Sequence, residues 1–145
     1  MCSSSNITIL FYCAGVMNVI GLLVFNNLYY DANVIESALP DVFSIFSQIL
    51  IQLWGLAYIG TAKHWKRMPF LCFVFFIEKM LFSYIWAIFI LDETNRNKVI
   101  NSIANMEKLQ ANLFLLLFGV NDILFGLVFG YAALNGGAIS PHKND

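Results

Sequence analysis

The chain has 145 residues, of which 59% are hydrophobic, 16% aromatic and 12% charged, about half the charged share of an ordinary soluble domain. A soluble domain of this length buries only about two-thirds of its unfolded surface, so this composition would leave large apolar patches in water and points to lipid as the solvent. Fourteen Phe, six Tyr and three Trp exclude a disordered tail, and a net charge of -1 excludes nucleic acid as a partner, because neutralising phosphates needs a basic surplus.

Four runs are long enough to cross a hydrocarbon core about 30 Å thick: residues 7–28, 42–62, 69–91 and 113–134. Of nine acidic and eight basic residues, these runs hold three, Glu78, Lys79 and Asp122. The runs are continuous and lack the alternation of barrel strands, and lipid forces each backbone amide to pair within its own segment. The predicted fold is all-α, a polytopic membrane protein made of one four-transmembrane-helix bundle.

Before the first run, Met-Cys-Ser-Ser-Ser-Asn carries no Lys or Arg, so the charged start of a cleavable signal peptide is missing and the first span is expected to stay attached. Cys2 is open to acylation. Cys13 and Cys72 read as small packing residues, since no C-x-x-C pair is present. The first loop, residues 29–41, has no basic residue, whereas the second turn reads Lys63-His64-Trp65-Lys66-Arg67 and the tail adds Lys143. The positive-inside rule then puts both termini in the cytoplasm, with Arg96, Lys98 and Lys108 of the third loop opposing. Tyr29, Tyr30, Trp65 and Tyr131 are expected at the headgroups. Pro40 and Pro69 read as helix starts. In residues 92–112, Val99, Ile100, Ile103 and Met106 recur at helical spacing among charged neighbours. This is either an amphipathic helix on the outer surface or an extension of the fourth span.

Six polar side chains, Asn18, Gln52, Glu78, Lys79, Asn121 and Asp122, fall within about one turn of the span centres, drawn from all four helices. Charge at that depth is expensive, so these groups are expected to face one another or a wet cavity. Small residues share their faces. Asn18 lies with Ala14, Gly15 and Gly21, Gln52 with Ser44, Gln48 and Gly55, and Asp122 with Gly119 and Gly126, followed by the Gly126-x-x-x-Gly130 spacing of close helix packing. Lys79 is predicted to pair with Asp122. Glu78, about 100° round the helix from Lys79 and so not its partner, is left to Asn18, Gln48 or Gln52. Two carboxylates against one ammonium leave one negative charge unbalanced, so a proton is expected there at neutral pH. Trp54-Gly55-Leu56 and Phe125-Gly126-Leu127 form a faint internal echo.

Three functions fit the layer. It cements a structural or accessory membrane subunit, with a second copy or another membrane protein as partner. Alternatively it forms a site for a small amphipathic ligand, proton or ion at Glu78, Lys79 and Asp122. As an enzyme, it would use Glu78 and Asp122 as proton-transfer acids, with Lys79 setting their protonation. No cofactor is implied: His64 and His142 lie outside the spans, so neither haem nor a metal site assembles from them in the bilayer, and no nucleotide or hydrolase fingerprint is present. The four-span layout, Glu78-Lys79 in an aromatic third span, and Gly119-Val120-Asn121-Asp122-x-x-Phe125 resemble the small BphX-like and, more loosely, DoxX-like membrane proteins. This first span carries no charge and so departs from the arginine-glycine start of DoxX-like chains. The resemblance implies a four-helix fold in a bacterial inner membrane, with some DoxX relatives linked to membrane redox assemblies, and carries over no catalytic residue.

Overall fold

The computed structural model describes residues 4–137; Cys2, His142 and Lys143 lie outside them. Six helices follow in order: α1 (Ser4–Phe25), α2 (Ala32–Ala38), α3 (Ile45–Thr61), α4 (Pro69–Leu91), α5 (Glu93–Ala104) and α6 (Leu109–Asn135). α1, α4 and α6 are long and apolar enough to cross a membrane, and α3 is a shorter apolar helix. Ile20, Leu53, Phe70, Leu81, Leu124 and Leu127 all point outward. An apolar surface of this kind implies contact with a lipid bilayer.

Local chemistry sets the helix ends and corrects several expected boundaries. α1 stops at Phe25, not residue 28, because Asn27, Leu28 and Tyr29 all take left-handed backbone (φ 52°, 53° and 70°). Such a run costs about 1–2 kcal/mol per residue and needs outside support. The Asn26 side chain supplies it: Oδ1 accepts from the Tyr29 amide at 3.0 Å while Nδ2 donates to Gln48 Oε1 at 3.0 Å. α3 begins at Ile45, three residues later than expected, because Ser44 caps it by accepting from the Ser47 amide. Pro69 opens α4, where its missing N–H costs nothing. Residues 92–112 do not continue the fourth span as one helix. Asp92 caps α5, and left-handed Met106 and Lys108 break the chain before α6. The first loop is not plain loop either, since it contains α2, with Ile35 wholly buried.

Two apolar cores lie at different levels. One, nearer the Ser4 end of α1, gathers Phe11, Tyr58, Trp65, Phe75 and Phe129, and the other gathers Ile35, Phe43, Phe89, Leu115 and Phe118. Trp65, only 4% exposed, is therefore a core residue, not a headgroup anchor: the turn packs on α4 and α6 and places its ring in the first core. Cys72 is buried, but Cys13 faces outward.

Helices approach where glycine leaves room. Gly15 and Gly55 set α1 against α3, where a Cβ on Gly55 would meet Asn18 Cβ and Gly15 O, each at 2.8 Å. On α6, Gly119 takes the Trp86 ring, Gly126 the Met80 and Lys79 side chains, and Gly130 the Phe76 ring, so this stripe seats α6 on α4. Gly21 is not a packing glycine, because a Cβ there would meet only Met17 of its own helix. The reason is a π turn over Met17–Gly21, in which the Leu22 amide bonds Met17 O and an extra residue rotates Gly21 away from the face of Asn18.

These contacts predict that Gly55→Ala lowers stability by about 1–3 kcal/mol through overpacking. Gly60→Ala, with nothing within 4 Å of the added Cβ, is expected to leave stability unchanged or slightly raised. Detergent unfolding of both variants checks this, and equal effects would contradict the close approach.

Candidate functional site

Between the two cores lies the polar layer. Lys79 is buried on α4 and its ammonium is the hub: Nζ donates to Asp122 Oδ1 on α6 at 2.6 Å and to Asn18 Oδ1 on α1 at 3.3 Å. The chain is thus a small helical membrane protein with a buried Lys79–Asp122 ion pair. One cation draws on three helices because Gly126 lets the lysine stem pass close to α6 and the π turn presents Asn18 from α1. The Asn18 amide donates to Ile51 O on α3 at 3.3 Å, and Asn121 donates to Asp122 Oδ1 at 3.3 Å.

Glu78 departs from expectation twice. Its partner is neither Asn18, Gln48 nor Gln52 but Tyr58 of α3, whose hydroxyl donates to Oε2 at 2.5 Å. Lys79 Nζ also lies 4.0 Å from Glu78 Oε1, so adjacent residues do meet at the limit of ion-pair contact. Their Cα–Cβ directions diverge around the helix, yet the long lysine side chain swings back to the level of its neighbour. Tyr58 was not legible as a site residue, because its ring reads as core and indeed packs on Phe75 and Phe129.

A cavity of about 130 Å³ opens onto this layer. Asn18, Glu78, Lys79, Asn121 and Asp122 form its floor, and Phe25, Phe43, Phe82, Phe114 and Phe118, with Leu22 and Ile51, its walls. From the floor to Phe25 and Phe114 it runs seven or eight residues along α1 and α6, about 10–12 Å at the helical rise. Met17 and Leu117 line it while 40% and 47% exposed, so its rim between α1 and α6 reaches the outer surface of the bundle.

Two expected site residues lie elsewhere. Gln48 is fully buried but spends itself on the first loop, accepting from Asn26 and donating to Ala32 O and Phe43 O. Gln52 does not line the cavity, and its sealed Nε2 has no partner among the described residues. A further pair was missed altogether. Lys108 donates to Asp31 at 2.6 Å, joining the turn before α6 to the turn before α2. Asp31 sits in no periodic segment, and Lys108 falls just beyond Met106, the last apolar position of the periodic stretch in 92–112, so no pattern announces the pair. Among the described residues no group of three or more His, Cys, Asp or Glu side chains is placed to hold a metal ion.

No family model, no curated protein and no solved structure matches the chain.

Two outcomes follow. Lys79→Asp and Asp122→Lys each leave a buried charge uncompensated and are expected to cost about 3–5 kcal/mol, with the double exchange recovering part of the loss. Tyr58→Phe keeps the ring and strips Glu78 of its donor, an expected loss of about 1–3 kcal/mol. Unfolding in mixed micelles measures all four variants, and an exchange no better than its worse single change would refute the pairing.

Proposed function

We propose that the protein spans a bacterial inner membrane four times through α1, α3, α4 and α6, with both termini cytoplasmic, and binds a small amphipathic ligand in the midplane cavity. α3 is about 25 Å long at the helical rise, most of a hydrocarbon core about 30 Å thick. The basic turn Lys63–Arg67 supports the orientation.

The observation carrying the ligand reading is the cavity itself: aromatic walls over a polar floor, reached from the side between α1 and α6. Ligand sites are concave and mostly apolar, with a few convergent polar groups that fix orientation. A bundle that used its polar residues only as cement would close over them. Lateral access suits a molecule that partitions into the bilayer and presents its polar end to Lys79, Asp122, Glu78 and Asn121.

A second reading has its own support. Lys79 binds α1 and α6 to α4, as in a structural or accessory subunit held together by its polar layer, with a second copy or another membrane protein as partner. The two readings separate by experiment. In lipid nanodiscs, a panel of phenyl amphiphiles with neutral, cationic and anionic heads is expected to include a saturable one-to-one binder. Ile51→Phe, which adds a ring from the cavity wall, should remove that binding while leaving the fold intact. Failure of the whole panel, or undiminished binding by Ile51→Phe, would leave the cement reading standing alone.

A further inference from the structure

The cavity floor holds one ammonium, already paired, and several open acceptors. The Lys79 ammonium is committed to Asp122 Oδ1 and Asn18 Oδ1, the Asn18 amide to Ile51 O, the Asn121 amide to Asp122 Oδ1, and the Tyr58 hydroxyl to Glu78 Oε2. By contrast, Glu78 Oε1, Asp122 Oδ2 and Asn121 Oδ1 accept no hydrogen bond from any described residue. Nor are these three sealed away, since among the described residues the sealed side-chain atom without a partner is Gln52 Nε2, which is not at the cavity.

Charge points the same way. Glu78, Asp122 and Lys79 are the charged side chains among the described residues that line the cavity, two carboxylates against one ammonium, and both carboxylates lie within 4.0 Å of Lys79 Nζ. A proton is one way to balance them; a bound cation is another, and the space for it is present. Above the floor, Phe43, Phe82, Phe114 and Phe118 form one connected aromatic cluster, with centroid separations of 5.0–6.1 Å. Such rings pack favourably edge-to-face or offset against another aromatic ring. The volume, about 130 Å³, is close to that of an apolar cavity that accepts benzene, about 150 Å³.

Resting on the ligand reading above, we propose that the occupant is a protonated primary amine on a ring-sized apolar body, an arylalkylammonium. Its ammonium donates to Glu78 Oε1, Asp122 Oδ2 and Asn121 Oδ1 while its ring lies among the four phenylalanines. An anionic head would meet two carboxylates against one ammonium that is already paired with Asp122. A hydroxyl head could make one of these hydrogen bonds but would leave the charge unbalanced.

The test uses the full chain in nanodiscs, with protein-free nanodiscs as the blank. 2-Phenylethylamine, 2-phenylethanol and 3-phenylpropionate each carry a phenyl ring on a short chain and differ in head charge. The ammonium is expected to bind about ten-fold or more tighter than the alcohol, as a charge-assisted bond to a buried carboxylate implies, and the carboxylate is expected to show no saturable binding. Glu78→Gln removes the surplus charge while keeping an acceptor for Tyr58 and the Lys79–Asp122 pair, and is expected to bring amine and alcohol to similar affinity. Equal binding of amine and alcohol by the natural chain, or preferential binding of the anion, overturns the amine class but leaves a ligand site. Saturable binding of none of the three overturns both. The ranking in the natural chain decides even if Glu78→Gln fails to fold.

Discussion

An ammonium at the depth of acyl chains must find its counter-charge within the protein, and the placement of Lys79 organises much else in this molecule. Lipid offers it nothing, and exposing it there costs at least about 2.5 kcal/mol. Its two hydrogen bonds, to Asp122 and Asn18, reach to α6 and α1. Those helices must then approach α4 closely enough for side chains of ordinary length to meet. Gly126 permits the approach on one side, and the reciprocal Gly15–Gly55 contact sets α1 on α3 on the other. Glu78, one residue before Lys79, is carried into the same layer and takes its hydrogen bond from α3 through Tyr58.

The cavity is a consequence of how these groups are arranged. The two apolar cores pack aromatic rings above and below the layer, while the charged groups between them turn toward one another and leave part of the floor uncovered. The echo between Trp54-Gly55-Leu56 and Phe125-Gly126-Leu127 acquires a physical meaning here. In each case the glycine lies against the stem of a polar residue on the packed helix, Asn18 for Gly55 and Lys79 for Gly126. A polar side chain can leave its helix toward the bundle interior where its neighbour has no Cβ in the way. The same solution appears twice, once in the α1–α3 pair and once in the α4–α6 pair.

Much of the fold was legible because hydropathy is a strong signal when the solvent is lipid. The start and end of α4 follow from Pro69 and the apolar run alone, and the Lys79–Asp122 pair follows from charge arithmetic between buried helices. What escaped the sequence has identifiable causes. The π turn at Met17–Gly21 breaks the 3.6-residue period on which the placing of Gly21 depended. The left-handed run at residues 27–29 uses no glycine, and its support comes from Asn26 and Gln48, residues 22 apart. Gln48 reads as a candidate partner for Glu78 because it shares a face with Gln52, but a turn of helix is enough to bring it to the loop instead. Tyr58 was hidden in a different way, because a tyrosine among phenylalanines shows its ring to pattern analysis and keeps its hydroxyl out of sight. Lys108 and Asp31 sit in turns, where spacing carries no information about distant contacts.

The account stands on one contact, the ion pair between Lys79 and Asp122, and solid-state NMR in lipid bilayers reads it directly. With lysine labelled at Nζ and aspartate at Cγ, dipolar recoupling detects ammonium–carboxylate contacts, and Lys108→Met removes the signal from the Asp31 pair. The 2.6 Å contact predicts strong recoupling that persists in Lys108→Met and disappears in Asp122→Asn. Recoupling lost entirely with Lys108→Met would mean that Lys79 has no aspartate beside it, and the layer, its cavity and the ligand reading would go with it.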